Sequence, residues 1–126
     1  MNPDTYILHL ASNNDWLAAV EKGAYRADSL STEGFIHCSK PTQVVDVANR
    51  FYRGQPELVL LVIDPSKLES ELKWEPPAHP NGERAAAVND ELFPHIYGPV
   101  NLDAVVRVIA FEPDASGNFN LPEMIS

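Results

Sequence analysis

Apolar positions along the chain fall into short blocks with two distinct periods. Tyr6-Ile7-Leu8-His9-Leu10 is an apolar run of strand length with one imidazole in its middle. Ser12 opens Ser-Asn-Asn-Asp, a capping-box-like start. Trp16, Leu17, Ala19 and Val20 then recur at helical spacing until Gly23, which predicts a helix over Asn13–Lys22. Tyr25 to Leu30 reads as a short strand followed by a turn through Ser31-Thr32-Glu33-Gly34. Phe35-Ile36-His37-Cys38 has the aromatic and β-branched content of a second buried strand. Ser39-Lys40-Pro41 predicts a helix start, because proline in the first turn lacks only an N–H that would find no helical partner. Val44, Val47, Ala48, Phe51 and Tyr52 follow as one amphipathic stripe that ends at Gly54.

The second half is strand-rich. Leu58 to Ile63 is continuously apolar and stopped by Asp64-Pro65, the pattern of a central strand covered on both faces. Leu72-Lys73-Trp74-Glu75 reads as a further strand, and Pro76 to Gly82 as a loop. Phe93–Tyr97 and Val105–Phe111 supply two more strands, parted by a Gly98-Pro99 turn. Two early helices, late strands and no βα alternation predict an α+β fold: one mixed, mostly antiparallel sheet with two helices from the N-terminal half packed on it.

Composition narrows the class. The chain of 126 residues is 44% hydrophobic and 21% charged, which predicts one globular domain over residues 1–126, with 113–126 as a C-terminal tail. No apolar run is long enough to cross a bilayer and no basic leader precedes one, so a soluble, cytoplasmic chain is expected, and a monomer rather than an obligate oligomer. The single cysteine, Cys38, has no partner for an internal disulfide. A net charge of −9 disfavours long nucleic acids and anionic membranes as partners. The charge is uneven: residues 1–53 carry five basic and six acidic groups, a net of −1, and residues 54–126 four and twelve, a net of −8.

The histidines carry the chemistry. His9, His37 and His95 lie in predicted strands among large apolar residues, where an imidazole must either be hydrogen-bonded within the core or face a pocket. Three in one small domain point to at least two lining one cleft. Ser39 and Lys40, after His37, stand where helix N–H groups could receive a phosphate or carboxylate; the plainer reading is an N-cap and a solvated side chain. His95 and Tyr97, two apart on one strand, offer an imidazole and a phenol to one face, unless Tyr97 is a core aromatic. Glu75 beside Trp74 is either a general acid or base or a solvated strand end. Cys38 cannot pair with its strand neighbour His37, because consecutive strand residues face opposite ways, which argues against cysteine catalysis. A three-histidine metal centre would rest on distant residues converging, with no ligand motif behind it.

These residues carry a resemblance. Tyr6-Ile7-Leu8-His9 with Trp16, Ser29-Leu30, Glu33-Gly34-Phe35-Ile36-His37-Cys38-Ser39, Val47-Ala48-Asn49-Arg50-Phe51-Tyr52, Leu58-Val59-Leu60-Leu61 and Phe93-Pro94-His95-Ile96-Tyr97-Gly98-Pro99 resemble the family known as domain of unknown function 952. The likeness runs over nearly the whole chain to about Glu112. That family in turn looks like a compact ADP-ribosyltransferase fold, in which a split sheet grips NAD. The resemblance implies that His9 holds a ribose and that His37 with Ser39 packs on nicotinamide. Trp16, Tyr25, Ser29 and Lys40 are expected beside Ser39 as further ligand-binding residues. The histidines are similar to those of the tRNA 2′-phosphotransferase branch. For the third position, often Glu, the strand Phe93–Tyr97 offers His95 and Tyr97, with Asp90 and Glu91 just before it. The expectation is a cleft for a nucleotide-like ligand, with NAD as ligand or substrate and ADP-ribosyl or phosphate-ester transfer as its chemistry. The rivals are a non-catalytic small-molecule or peptide binding module and a three-histidine metal enzyme.

Overall fold

The structure, a computed structural model, describes residues 6–76 and 92–120. Along them run β1 (Ile7–Ser12), α1 (Asn13–Lys22), β2 (Ala24–Tyr25), α2 (Asp28–Thr32), β3 (Ile36–His37) and α3 (Val44–Phe51). There follow β4 (Leu58–Ile63), β5 (Glu71–Glu75), β6 (Phe93–Tyr97), β7 (Val100–Asn101) and β8 (Val105–Phe111), with single 3-10 turns at Pro65–Lys67 and Leu102–Ala104. Ser12 caps α1 by accepting from the Asp15 N–H at 3.0 Å, and Gly23 closes it in the left-handed conformation, as the sequence predicts.

The strands form an order β1-β4-β8, a second sheet β3-β6-β5 and a short pair β2-β7. Every pairing among the described residues is antiparallel, so the mixed sheet expected from the sequence is in fact antiparallel throughout them. β4 is buried along its whole length, which is why its sequence lacks alternation. Val59, Leu61 and Ile63 face one core with Tyr25, Ile36 and Ile96. Leu58, Leu60 and Val62 face another with Val44 and Ala48 of α3, Phe111 and Phe119. At about 1.5–3 kcal/mol for each fully buried aliphatic side chain, this strand is the main anchor of both cores.

The split between the two larger sheets has a local cause. Cys38 N–H donates to the Pro94 carbonyl at 3.0 Å, but Pro94 has no N–H to return, so the β3–β6 ladder ends there. The chain then crosses to β1, where Leu8 and Ser39 exchange two main-chain bonds of 2.7 Å.

Two local expectations change. The turn expected through Ser31–Gly34 is instead preceded by the short helix α2, closed by the Glu33 N–H on the Ser29 carbonyl at 2.7 Å. α3 begins at Val44 and not at Pro41: the buried Gln43 side chain accepts the Lys40 N–H at 2.9 Å and donates to the Leu92 carbonyl at 2.9 Å, holding residues 40–43 as a turn. Past Glu112 the C-terminal tail packs on the core as far as residue 120. Phe119 is buried and stacks on Phe111 at 4.9 Å, and Asn49 receives its N–H at 2.7 Å. The loop expected over 76–82 lies, beyond Pro76, outside the described residues, as do Asp90 and Glu91.

Candidate functional site

Period-two alternation gives the β3-β6-β5 sheet two unlike faces. Ile36, Ile96 and Leu72 are in register and turn into the core. The opposite face carries His37, His95 and Lys73 in one row, with Tyr97 opposite Glu71 and Phe93 opposite Glu75. Strand pairing thus collects three chemically active side chains from segments separated by tens of residues.

At the centre, one carboxylate oxygen serves two donors. Glu75 Oε1 accepts the Tyr97 O–H at 2.6 Å and the His95 Nδ1–H at 2.8 Å. These bonds hold the Glu75 carboxyl below the usual range, and the same carboxylate pushes the Tyr97 phenol above its own. His95 is only 3% exposed. Burial lowers its basicity, and the raising influence of Glu75 does not fully offset it. At neutral pH the set is therefore an ionised Glu75, a protonated Tyr97 and a neutral His95. With the proton on Nδ1, His95 keeps a lone pair on Nε2, which has no hydrogen-bond partner among the described residues.

Aromatic rings wall this group. Phe35 stacks on His95 at 4.3 Å and touches the rings of His37 at 4.8 Å and Tyr97 at 5.3 Å. His37 meets His95 edge-on at 5.4 Å. His37 Nε2 donates to Glu33 at 3.1 Å, and the Ser29 carbonyl holds the Glu33–Gly34 loop in place by accepting both N–H groups. Gly34 has φ +91°, a left-handed bend that brings Phe35 in ahead of β3. Lys73 places its ammonium 4.8 Å above the Tyr97 ring, a cation–π contact.

His9 lies behind this face. It is buried, its Nδ1 is 2.6 Å from the His37 carbonyl and its Nε2 is 2.8 Å from the Tyr25 hydroxyl. A carbonyl can only accept, so Nδ1 carries the proton and Tyr25 donates to Nε2. Both ring nitrogens are used, which leaves none for a ribose in this arrangement. Burial pushes the His9 imidazole down to about 4 and the Tyr25 phenol upward.

Of the residues singled out in the sequence, His37, His95 and Tyr97 come together, and Glu75 joins them from the neighbouring strand. Tyr25 partners His9 in the core, and Trp16 packs against that core. Ser29 acts through its carbonyl. Ser39 and Lys40 do not form an anion cradle: Ser39 is a buried β-bridge residue that precedes the 40–43 turn and lies ahead of α3, which starts only at Val44, and Gln43 occupies the Lys40 N–H. Cys38 is buried, and burial pushes its thiol up, away from nucleophile chemistry. The three histidines do not converge on a metal, and no group of three His, Cys, Asp or Glu side chains among the described residues could hold one. Phe35 and Lys73 were not legible as site residues. The signal for Lys73 is the alternation that puts Glu71, Lys73 and Glu75 on one side of β5.

The sequence profile described as "Protein of unknown function (DUF952)" matches residues 10–108, and the chain belongs to that family. It is similar to the crystal structure of CC0527 from Caulobacter crescentus, at 32% identity and a TM-score of 0.78, covering 96% of this chain and 98% of that one. A double mutant of the same protein gives 31% identity and 0.78 over the same shares. Its solution structure gives 34% and 0.70, covering 90% of each chain. No protein of curated function matches. These likenesses establish the family and the antiparallel α+β fold, and they do not extend to the ADP-ribosyltransferase fold. No helix among the described residues is long and apolar enough to cross a membrane.

Proposed function

We propose that the His37–His95–Tyr97–Glu75 face binds a nucleotide-like ligand and transfers its ribosyl group, with NAD as the first substrate to test. The observation that carries this is the ionised Glu75 bonded to a neutral His95 whose Nε2 has no hydrogen-bond partner among the described residues. As the bond from C1′ to the nicotinamide nitrogen breaks, the pair leaves with the ring and positive charge grows on the ribose. The Glu75 carboxylate supports that charge, while Nε2 of His95 takes the proton of the attacking hydroxyl as its oxygen bonds C1′. In this reading Glu75, reaching across from β5, supplies the carboxylate that β6 lacks. The planar ring would lie against Phe35 and Tyr97.

Charge favours this over phosphate-ester transfer. Among the described residues Glu33, Glu71 and Glu75 border the face against the ammonium of Lys73, which suits a developing cation better than a phosphate dianion. Isothermal titration with NAD, ADP-ribose and their 2′-phosphates, with histidine NMR alongside, tests the proposal. Heat with NAD and a shift of the His95 ring are expected. The absence of both with every compound overturns it. A second reading, a binding module without turnover, draws on Phe35, which covers His95 so closely that it is nearly sealed. It predicts that His37→Ala weakens binding while no product forms even with the unaltered chain.

A further inference from the structure

We infer that His9 is a positioning residue for His37: its buried imidazole stands in for a missing β-ladder bond and sets the spacing of the His37–His95 pair. This rests on reading the His37–His95 face as the functional site.

The bond from Cys38 N–H to the Pro94 carbonyl fixes His37 and His95 as a non-hydrogen-bonded pair. In such a pair the side chains lie closest and the main-chain groups point away from each other. The His37 carbonyl therefore points off β6, toward β1. There, among the described residues, the main-chain partnership is the Leu8–Ser39 bridge. Had the ladder continued, its next bond would have joined the His37 carbonyl to the N–H of Leu10, two residues on from Leu8. The His9 Nδ1–H takes that carbonyl instead, at 2.6 Å. β3 is tied on one side to β6 and on the other to a side chain, at the very residue that carries a site imidazole.

The tie is chemically constant. Tyr25 donates to Nε2 at 2.8 Å and fixes the Nδ1–H tautomer, and burial keeps the ring neutral down to about pH 4. β3 is only two residues long, so the His9 bond shares the task of holding His37 in place along β6 with the Ile36–Ile96 pair, the Cys38–Pro94 bond and the Leu8–Ser39 bridge. A slide along β6 would take His37 away from His95, whose basicity the nearby His37 helps to depress.

Two substitutions separate positioning from plain core stability. In His9→Asn the side-chain amide N–H falls close to the place of Nδ1–H and keeps the bond to the carbonyl; His9→Phe fills the space without a donor. Both should lower the melting temperature. Without any ligand, His9→Asn should retain the His95 titration midpoint and the contact between the His37 and His95 rings seen by NMR. His9→Phe should lose that contact and raise the His95 midpoint. Equal midpoints in both variants overturn the inference. Should His9→Phe not fold, the unaltered protein decides: a slowly exchanging Nδ1 proton on His9 supports the tie, and a proton on Nε2 refutes it. Because no reading needs a ligand, a failed NAD titration and a failed positioning role remain distinguishable.

Discussion

His95 and Tyr97, two residues apart on β6, donate to the same oxygen of Glu75, at 2.8 and 2.6 Å. One carboxylate on the next strand thereby orients an imidazole and a phenol together, and its charge fixes which nitrogen of His95 stays open. A single proton gained by Glu75 would remove both effects at once. The site is thus poised above the acid range, where Glu75 is ionised.

Glu75→Gln tests that hub. The amide keeps the volume and loses the charge, so His95 should titrate even further below its ordinary 6.5 and Tyr97 should ionise more readily than in the parent. NMR titration of the imidazole and ultraviolet titration of the phenol read the two changes. An unmoved His95 would mean that the bond to Glu75 is not formed in solution.

Phe35→Ala separates burial from charge. The largest cause of the low His95 basicity is desolvation, and Phe35 is the ring stacked on it. Opening that side to water should raise the His95 midpoint toward 6.5, opposite in sign to Glu75→Gln. A midpoint that falls or stays fixed would assign the desolvation to other neighbours.

The parts of this site that could be read in the sequence are those made by local pattern. The His95–Tyr97 spacing fixes one face of a strand whatever its partner, and His37 announces itself by sitting between apolar neighbours. Glu75 could be weighed but not placed, because only the register of β5 on β6 brings it to His95, and 17 residues separate the two strands. The Ser39–Lys40 cradle failed for a similar reason. Ser39 looks like a cap by type, but Leu8 holds it in a bridge and Gln43 reaches back to Lys40, and neither contact has a local signature. His9 shows the limit most clearly: a buried histidine was expected to be either satisfied or functional, and its bond to the His37 carbonyl lets it be both.

Acid should weaken the fold before carboxylates protonate. His9 binds its proton at about 4 in the folded chain against 6.5 unfolded, so the unfolded state holds more protons between those values. The stability due to its neutral form is complete above 6.5 and lost as pH falls toward about 4, up to about 3 kcal/mol. His95 adds in the same direction, whereas Glu75, Asp64 and Asp114 contribute losses only below their ordinary values of 4.5 and 3.8. Urea unfolding between pH 4.5 and 6.5 should show stability rising with pH, with a shallower slope in His9→Asn. An equal slope in both proteins would assign the effect elsewhere.

Gly98 constrains the turn that leaves the site through space rather than charge. It follows Tyr97 directly, and a Cβ built on it would run into Oγ and Cβ of Ser70, whose hydroxyl is held by a 2.6 Å bond to the Pro99 carbonyl. Ser70 cannot swing aside without losing that bond, so Gly98→Ala should cost about 1–3 kcal/mol in urea unfolding, the usual range for overpacking. Relief must come from the neighbour: Ser70→Gly in the same chain removes both clashing atoms and should recover most of the loss, even though Ser70→Gly alone destabilises. If the single and double variants unfold alike, the contact does not limit the turn. If they differ as expected, the Tyr97 bond to Glu75 should weaken in Gly98→Ala and return in the double variant, visible as a fall and recovery of the Tyr97 ionisation midpoint.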